Sequence, residues 1–309
     1  MNTSPILVVC LNPTFQKTLV FNHFEENEVN RCSTYRMDAS GKGMNVARII
    51  TQIGGEAMHL THLGGSRMNE MISLIEKDGI DLYYVETKSA IRTCTTIINK
   101  EKNTTTELVE EPYAVDSSSD AYIRILYSNI LSSCSSVIIS GTRSPGYSPS
   151  LYSDFVKEAK EMGKTVILDI KGEDLKQSLQ YYPDVIKPNL SEFISTYLPQ
   201  RRVNESDSNE ELKDEVILKM KELFETYHCS IVITRGKYPI WVYSKEGFNE
   251  LATKPIVPVN TIGCGDALTS GIAYHLLKGD TLIEAVKTAI TYSAKNATLL
   301  APGSVLDNF

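Results

Sequence analysis

The stretch VNTIGCGDALTSGIAYHLLKG, residues 259–279, joins an extended approach to a helix through a turn that contains two glycines. Gly263 and Gly265 interrupt the extended run, and an apolar helical pattern then continues to Gly279. Because the first amides of a helix have no partner within it, several N–H groups converge at this turn. These amides and the positive end of the helix dipole both favour an anion, so the turn predicts a phosphate-binding site.

Asp266 follows the glycine turn directly and lies in the first turn of the predicted helix. Two interpretations fit this position. An aspartate at a helix start commonly caps it by accepting a hydrogen bond from a backbone amide. A carboxylate beside a transferring phosphoryl group can instead accept the proton of an attacking hydroxyl. The turn alone leaves both interpretations open.

Outward from this turn, short runs rich in Val and Ile alternate with amphipathic stretches along the chain. The alternation is typical of βαβ units around a buried, mostly parallel sheet, so it predicts an α/β fold. Helical spacing covers 149–162, which ends before Gly163, and 209–228, while the polar segment 201–210 indicates a surface loop. The strand candidates are 5–11, 136–140, 165–170, 184–187 and 230–235.

A different pattern occurs between about Leu82 and Glu111, where β-branched and polar residues alternate between turn residues. Such strands are typical of an antiparallel sheet with one face in solvent. We predict a small β-sheet appendage formed by about 14–36 and 82–111, attached to a single domain of residues 1–309. A lid over a site and a dimer surface are both open as its role, and one appendage can serve as both.

Composition and charge exclude several classes of protein. The chain has 309 residues, of which 42% are hydrophobic and 22% charged, with a formal net charge of −7. This acidic balance argues against a nucleic-acid or anionic-membrane surface, which needs clustered Lys and Arg. The N-terminus lacks the basic region of a signal peptide, and the six cysteines show no metal-ligand spacing. We therefore expect a cytoplasmic protein with no nucleic-acid or membrane partner.

Eight motifs occur along the chain in a set order: LNPTFQKT (11–18), SGKGMNVARIITQIGG (40–55), IRTCTTI (91–97), SGTRSPG (140–146), VILDIKG (166–172), IKPNLSEF (186–193), VITRGKYP (232–239) and NTIGCGDA (260–267). Together they resemble the pfkB/ribokinase family, in particular its 1-phosphofructokinases and tagatose-6-phosphate kinases. The resemblance spans nearly the whole chain. It implies a ribokinase-like three-layer α/β/α sandwich with a mostly parallel central sheet and a small β-sheet lid. It also implies ATP-dependent phosphorylation of a sugar phosphate.

The resemblance assigns roles to the glycine turn and to the nucleotide side. It implies that Asp266 deprotonates the acceptor hydroxyl, while the amides of Gly263, Cys264 and Gly265 stabilise charge on the transferring phosphoryl group. Glu192 matches a family element that acts on Mg²⁺, usually through water, and one or two carboxylates suffice when phosphates supply the other ligands. The residues expected on the nucleotide side are Lys187, Asn189, Thr234, Arg235, Gly236 and Asn296.

The resemblance also implies a site for the phosphate group already present on the sugar. A doubly charged phosphate monoester calls for cations, with Arg giving forked hydrogen bonds and Lys a compact charge. Lys42 can alternatively be a solvated turn residue, and Arg143, where we expect relatives to carry an apolar residue, is an additional candidate contact. The implied substrate-binding residues are Gln16, Gly41, Lys42, Asn45, Arg92, Ser140, Gly141 and Arg143.

Three positions depart from the family pattern. Gln16 stands where close relatives carry an aspartate that accepts hydrogen bonds from sugar hydroxyls, and an amide carries no charge. Ser40 replaces the first glycine of a GGKG sequence, and Pro239 replaces a common glycine in the turn on the nucleotide side. The Gln16 departure bears on the identity of the substrate more than on catalysis. Ser40 adds a side chain near the phosphate loop, and Pro239 is expected to reshape the turn on the nucleotide side.

From the sequence we expect phosphorylation of fructose 1-phosphate to fructose 1,6-bisphosphate. Phosphorylation of tagatose 6-phosphate, or a 6-phosphofructokinase activity of the same family, is the alternative. Two other classes remain open: a non-catalytic sensor of sugar phosphates or nucleotides, and a kinase for unphosphorylated sugars or nucleosides. The implied cofactors are Mg²⁺ and ATP as co-substrate. A monovalent cation and a homodimer through the β lid are further options that the sequence leaves open.

Overall fold

The computed structural model describes residues 4–203 and 207–307, so part of the predicted 201–210 loop lies outside the described residues. The strands are β1 (Ile6–Val9), β2 (Thr14–Phe21), β3 (Thr34–Ser40), β4 (Ala57–Gly64), β5 (Asp81–Thr87), β6 (Arg92–Asn99), β7 (Thr104–Val109), β8 (Ser136–Ser140), β9 (Thr165–Asp169), β10 (Val185–Ile186), β11 (Ser230–Arg235), β12 (Tyr238–Ser244) and β13 (Gly247–Leu251). The α-helices are α1 (Lys42–Gln52), α2 (Met68–Lys77), α3 (Ser119–Leu131), α4 (Leu151–Glu161), α5 (Gly172–Leu179), α6 (Leu190–Tyr197), α7 (Lys213–Tyr227), α8 (Cys264–Leu277) and α9 (Leu282–Ala297).

In the described part of the chain, nine strands form one central sheet in the order β13-β12-β11-β10-β9-β8-β1-β4-β5. All neighbours from β11 to β5 pair in parallel, and β12 and β13 add an antiparallel edge. The predicted strands over 136–140, 165–170 and 230–235 are confirmed. The prediction of a mostly parallel sheet in an α/β fold is also confirmed.

The sheet is buried on both faces because helices cover each of them. Leu7 and Val9 of β1 pack into one core with α3 to α7, whereas Ile6 and Val8 pack into the other with α1, α2, α8 and α9. Side chains alternate across a strand, so a strand covered on both faces must be apolar at every position. This explains the uninterrupted Val and Ile runs in the sequence and gives three layers.

The order in which strands are added to the sheet reverses at β1. Its neighbours are β4 on one side and β8 on the other, so the connections leave toward opposite edges. In an open parallel sheet, such a point leaves a crevice at the carboxyl ends of the strands. The ends of β8, β9, β10 and β11 follow at the same edge of the sheet. These strand ends carry most of the motifs found in the sequence.

A second, four-stranded sheet has the order β3-β2-β6-β7. It confirms a small β-sheet appendage, but two details of the prediction are wrong. The segment from Leu82 to Thr87 belongs to β5, which pairs in parallel with β4 at the edge of the central sheet. Because β5 is partly exposed at the edge of the central sheet, polar and apolar residues alternate along it as they would in an appendage strand. In addition, β2 and β6 pair in parallel, and β3 extends the appendage to Ser40.

The helices predicted from the sequence occur with small shifts at their ends. The prediction for 149–162 corresponds to α4, and Gly163 has a φ of +68°, as expected just after a helix. The prediction for 209–228 corresponds to a 3₁₀ turn at Glu210–Leu212 followed by α7. Within the described residues, no helix is long and apolar enough to cross a membrane.

Close contact between α8 and α9 fixes the helix that begins at the glycine turn. A Cβ added to Gly271 of α8 would lie 2.6 Å from the Cβ of Ala289 and 2.8 Å from its Cα. These distances are too short for carbon atoms, so only glycine allows the two helices to approach this closely. The position of the N-terminus of α8 therefore depends on the packing around Gly271.

We predict that Gly271→Ala lowers the free energy of unfolding by about 1–2 kcal/mol. Overpacking typically costs about 1–3 kcal/mol, whereas the higher helix propensity of Ala returns up to about 1 kcal/mol. Urea denaturation of the purified variant measures the difference. Adding Ala289→Gly removes one of the two colliding methyl groups and should recover part of the loss. A single variant as stable as the wild type would contradict this account of the helix contact.

Candidate active site

The glycine turn begins α8 and leaves amides available to a ligand. Gly263 is the N-cap residue with a φ of +86°, and a Cβ there would lie 2.3 Å from the backbone nitrogen of Gly303. Both facts require glycine at this position. The Cys264 amide donates to the Thr261 carbonyl, and the first intrahelical bond starts at Ala267. The amides of Gly265 and Asp266 therefore have no partner in the helix, and both residues line a cavity of about 560 Å³.

Asp266 is 5% exposed, and its carboxylate accepts a hydrogen bond of 2.7 Å from Asn45 Nδ2. The helix has no side-chain cap at its N-terminus, so capping does not account for this residue. Burial raises the pKa of Asp266 to about 6, and the nearby carboxylate of Asp169 adds to the rise, while Lys42, Asn45 and Lys187 oppose it. A carboxylate with a pKa of this size is suited to accept a proton near neutral pH.

Asp169 is the functional residue that the sequence reasoning missed. It ends β9, is 1% exposed, and lies 3.2 Å from Lys42 Nζ and 3.2 Å from Lys187 Nζ. Burial alone would raise the pKa of Asp169, but the two lysines outweigh it and the pKa is lowered. The available signal was a charged residue at the end of a Val/Ile strand, where the crevice of a parallel sheet lies.

Lys42 contacts carboxylates from two different elements of the site, β9 and α6. As the first residue of α1 it reaches both Asp169 and Glu192, whose Oε1 lies 3.4 Å from its Nζ. Burial lowers the pKa of Lys42, but Asp169, Glu192 and Asp266 together raise it above its usual range. The lysine is thus charged, and its side chain lines the cavity. This location supports the interpretation of Lys42 as a ligand-binding residue over that of a solvated turn residue.

The orientation of the Asn45 amide is set by two donors. Ser40 Oγ and Arg48 Nη1 both donate to its Oδ1, at 3.0 and 3.1 Å, which leaves Nδ2 to donate to Asp266. Arg48 is itself buried and paired with Asp78 at 2.7 Å. The Ser40 departure therefore has a structural explanation, because its hydroxyl helps to hold the amide that contacts Asp266.

At the far side of the cavity lie residues expected to bind the sugar phosphate. Gln16, Gly41 and Arg92 line it, and the Nε atom of Arg92 is buried without a hydrogen-bond partner within the described residues. A buried guanidinium nitrogen without a partner is uncommon and indicates a place for an anion. Gly141 lines an adjoining cavity of about 160 Å³ that also includes Lys42 and Arg92.

Two residues of the predicted phosphate loop lie elsewhere. Ser140 is fully buried, with its Oγ 3.5 Å from the Asp169 carboxylate, so it is placed behind the cavity. Arg143 pairs with Asp174 at 3.1 Å and donates to the Tyr147 carbonyl. Neither residue is among those that line the cavities. The structure does not bring Arg143 to the proposed phosphate site.

The residues expected on the nucleotide side separate into those at the cavity and those behind it. Lys187, Thr234 and Gly236 line the cavity. Arg235 also borders the cavity. Its guanidinium lies 3.7 Å from the Trp241 ring centroid and forms an ion pair with Glu210, so partners within the fold largely neutralise its charge.

Asn296 and Cys264 support the glycine turn from behind. Asn296 is fully buried, donates to the Ile262 carbonyl at 2.9 Å and accepts from the Ser304 amide at 3.0 Å. It also donates to the Cys264 sulfur at 3.4 Å. Burial raises the pKa of the Cys264 thiol to about 11, so the thiol is neutral. The side chains of both residues hold the turn in place.

A third cavity, of about 810 Å³, borders the glycine turn and shares Thr234, Gly236 and Gly265 with the main cavity. Its walls are mainly apolar, as a planar heterocyclic base requires. The sequence reasoning missed these residues, because they come from distant segments and carry no motif. The apolar residues in its wall are Ile240, Pro255, Ile256, Pro258, Leu268, Ile290, Ala294 and Ala297.

Asn189 and Glu192 form a capping box at the start of α6. Asn189 Oδ1 accepts from the Glu192 amide at 2.7 Å, and Glu192 Oε2 accepts from the Asn189 amide at 3.0 Å. The described residues contain no group of three or more His, Cys, Asp or Glu arranged to hold a metal. The two residues fit an indirect role toward Mg²⁺ through water, since both border the cavity while their side chains are held by the cap and Glu192 also pairs with Lys42.

Comparison with known proteins agrees with this geometry. The model of the pfkB family carbohydrate kinases matches residues 11–305. Tagatose-6-phosphate kinases from two strains of Staphylococcus epidermidis are 28% identical over 294 residues, which cover 94% of this chain and 92% of theirs.

Solved structures show the same fold. Phosphofructokinase-2 from Escherichia coli in complex with fructose-6-phosphate has a TM-score of 0.82 at 21% identity, covering 96% of this chain and 94% of that chain. A Thermotoga maritima protein described as "Possible 1-phosphofructokinase" has a TM-score of 0.84 at 22% identity, covering 94% of this chain and 91% of that chain. These likenesses confirm the ribokinase-like three-layer architecture. Because the family model spans nearly the whole chain, the protein belongs to the pfkB family of carbohydrate kinases, and it is an ATP-dependent sugar kinase.

Proposed function

We propose that this kinase transfers the γ-phosphoryl group of ATP to a hydroxyl of a ketohexose phosphate. The observation that carries the proposal is the placement of Asp266, a buried carboxylate with a pKa of about 6, beside the free amides at the start of α8. Arg92, whose Nε has no partner within the described residues, borders the same cavity and supplies positive charge for a second phosphate, and Lys42 lines the cavity beside it. A free sugar or a nucleoside would leave that charge without a ligand.

The reaction follows from these positions. The acceptor hydroxyl of the sugar gives its proton to the Asp266 carboxylate as its oxygen attacks the γ-phosphorus of ATP. A new oxygen–phosphorus bond forms while the bond from the γ-phosphorus to the bridging oxygen breaks, and ADP leaves with that electron pair. The amides of Gly265 and Asp266 stabilise charge on the transferring group because they have no partner in the helix and border the cavity before the reaction starts. The transfer is direct and forms no phosphoenzyme.

Mg²⁺ bound with ATP neutralises phosphate charge during such a transfer. Asn189 and Glu192 would hold it through water molecules, because both side chains already form the cap of α6. Lys187, buried beside Asp169, supplies a further cation on the nucleotide side. A monovalent cation is a further expectation, supported by an Escherichia coli phosphofructokinase-2 structure in complex with potassium.

Fructose 1-phosphate, phosphorylated at its 6-hydroxyl, is the substrate we propose first, on the basis of the GKGMNVAR segment at 41–48. The curated relatives favour tagatose 6-phosphate, phosphorylated at its 1-hydroxyl, as the second candidate. Both sugars are ketohexose phosphates and both give a bisphosphate. The amide of Gln16, in place of an expected carboxylate, bears directly on the choice between them.

We also propose that the four-stranded sheet acts as a lid and as a dimer surface. One of its faces borders the cavity, and β7 is exposed along its whole length in the single chain. Leu108 and Val109 of β7 and Tyr35 of β3 add exposed apolar surface. Such surface on a strand at the edge of a sheet is suited to pairing with a second copy.

The test of the proposed function is a substrate panel with purified protein and MgATP. We expect ADP release with fructose 1-phosphate or tagatose 6-phosphate, and much less with fructose 6-phosphate, free fructose or free tagatose. Phosphorus NMR of the product would identify the hydroxyl that receives the phosphate. If the protein binds these ligands but releases no ADP with any of them, the sensor interpretation replaces that of an enzyme.

Asp266→Asn should lower kcat by about 10²- to 10⁴-fold, the usual contribution of a positioned base, with little change in nucleotide affinity. The wild-type kcat/KM should fall as pH drops through about 6, because protonation removes the base, which has a pKa of about 6. The exposed Asp214 of α7 offers a matched control, and Asp214→Asn should leave both quantities unchanged. Near-normal turnover by Asp266→Asn would remove this residue from the role of base.

A further inference from the structure

The appendage sheet presents a polar face to the main cavity. Thr18 of β2, Thr96 of β6 and Glu107 of β7 are paired across neighbouring strands, so their side chains lie on the same face. Gln16 is two residues before Thr18 and shares that face. Gln16 and Glu107 both line the cavity, from different strands of the sheet.

The amide of Gln16 is already engaged. Its Nε2 donates to Thr96 Oγ1 at 2.8 Å, and the residue is only 2% exposed. This bond ties β2 to β6, so the neutral carboxamide oxygen is the acceptor that position 16 offers to the cavity it lines. A neutral oxygen is a weaker acceptor than a carboxylate oxygen. Position 16 therefore cannot supply the charged acceptor that the hydroxyl groups of a sugar would meet at an aspartate.

Glu107 does supply a carboxylate. No Lys, Arg or His of the described residues lies within ion-pair distance of it. Burial raises the pKa of Glu107, and the nearby positive charge of Arg92 opposes that rise. The residue nevertheless keeps exposed area where the cavity is open to solvent. A carboxylate facing a cavity that also holds Lys42 and Arg92 would repel a phosphate group. It is suited instead to accept hydrogen bonds from the uncharged, hydroxyl-bearing part of the same ligand.

We infer that Glu107 is a specificity-determining residue that accepts hydrogen bonds from the hydroxyls of the sugar phosphate, and that it provides from β7 the carboxylate that Gln16 lacks on β2. The inference rests on the proposed function. It divides the cavity into a cationic part for the phosphate, at Lys42 and Arg92, and an acceptor part for the carbon chain, at Gln16 and Glu107. Ketohexose phosphates that differ in the configuration of one hydroxyl are therefore distinguished at the lid sheet.

Steady-state kinetics of Glu107→Gln test this role on whichever sugar phosphate the wild type converts. We expect KM for the sugar phosphate to rise about 10-fold or more, the worth of a hydrogen bond to a charged acceptor. KM for ATP should stay within about twofold, because Glu107 lies on the sugar side. The ratio of kcat/KM between tagatose 6-phosphate and its C4 epimer fructose 6-phosphate should also change, which a merely structural role of Glu107 would not produce.

Two further variants complete the design. Glu111→Gln makes the same chemical change at an exposed position outside the cavity and should behave as the wild type. The double variant Gln16→Asp/Glu107→Gln moves the carboxylate from β7 to β2 and should recover KM to within about threefold of the wild type. An unchanged KM in Glu107→Gln overturns the inference, as does a rise that the double variant does not reverse. Failure of the proposed function is a separate result, since the wild type itself would then convert no sugar phosphate.

Discussion

A single buried carboxylate, Asp169, holds the catalytic end of the molecule together. It lies between Lys42 at the start of α1 and Lys187 just after β10, and it accepts a further hydrogen bond from Thr269 of α8 at 3.2 Å. An unpaired charge buried at this depth would cost several kcal/mol, whereas two lysines compensate it. Through these contacts, three segments that are distant in sequence meet at the edge of the central sheet. Asp169 also raises the pKa of the neighbouring Asp266.

The balance of charge in this cluster gives the site its chemistry. Lys42 and Lys187 favour the ionised form of Asp266, while burial and Asp169 disfavour it. Because these effects oppose each other, the Asp266 carboxylate can accept a proton near neutral pH. A carboxylate paired directly with a lysine would have a lower pKa and would be a weaker base. Asn45 holds the carboxylate in position, and its own orientation depends on Ser40 and Arg48. Ser40, which departs from the family pattern in the phosphate loop, thus helps to position Asp266 through Asn45.

Much of the fold could be predicted because its determinants are local. Strands buried on both faces must be apolar throughout, and the glycine turn before α8 combines a left-handed residue with an apolar, largely buried helix. Pairing between distant segments could not be predicted in the same way. The exposed alternation of β5 matched that of an appendage strand, although its partner is β4 in the central sheet. Arg143 looked like a phosphate ligand, but Asp174 lies close enough to pair with it. Asp169 lies in the VILDIKG motif, but its importance comes from Lys42 and Lys187, which only the fold brings beside it.

The measurement that tests this account most directly is a carbon-13 NMR titration of the Asp266 carboxyl group in the ligand-free protein, with Asp266→Asn used to assign the signal. We predict a pKa of about 6 for Asp266 and a lower pKa in the Asp169→Asn variant, where the neighbouring negative charge is absent. A pKa at or below the ordinary aspartate value of about 4 in the wild type would contradict it. Such a result would mean that the buried cluster does not tune Asp266 as a base.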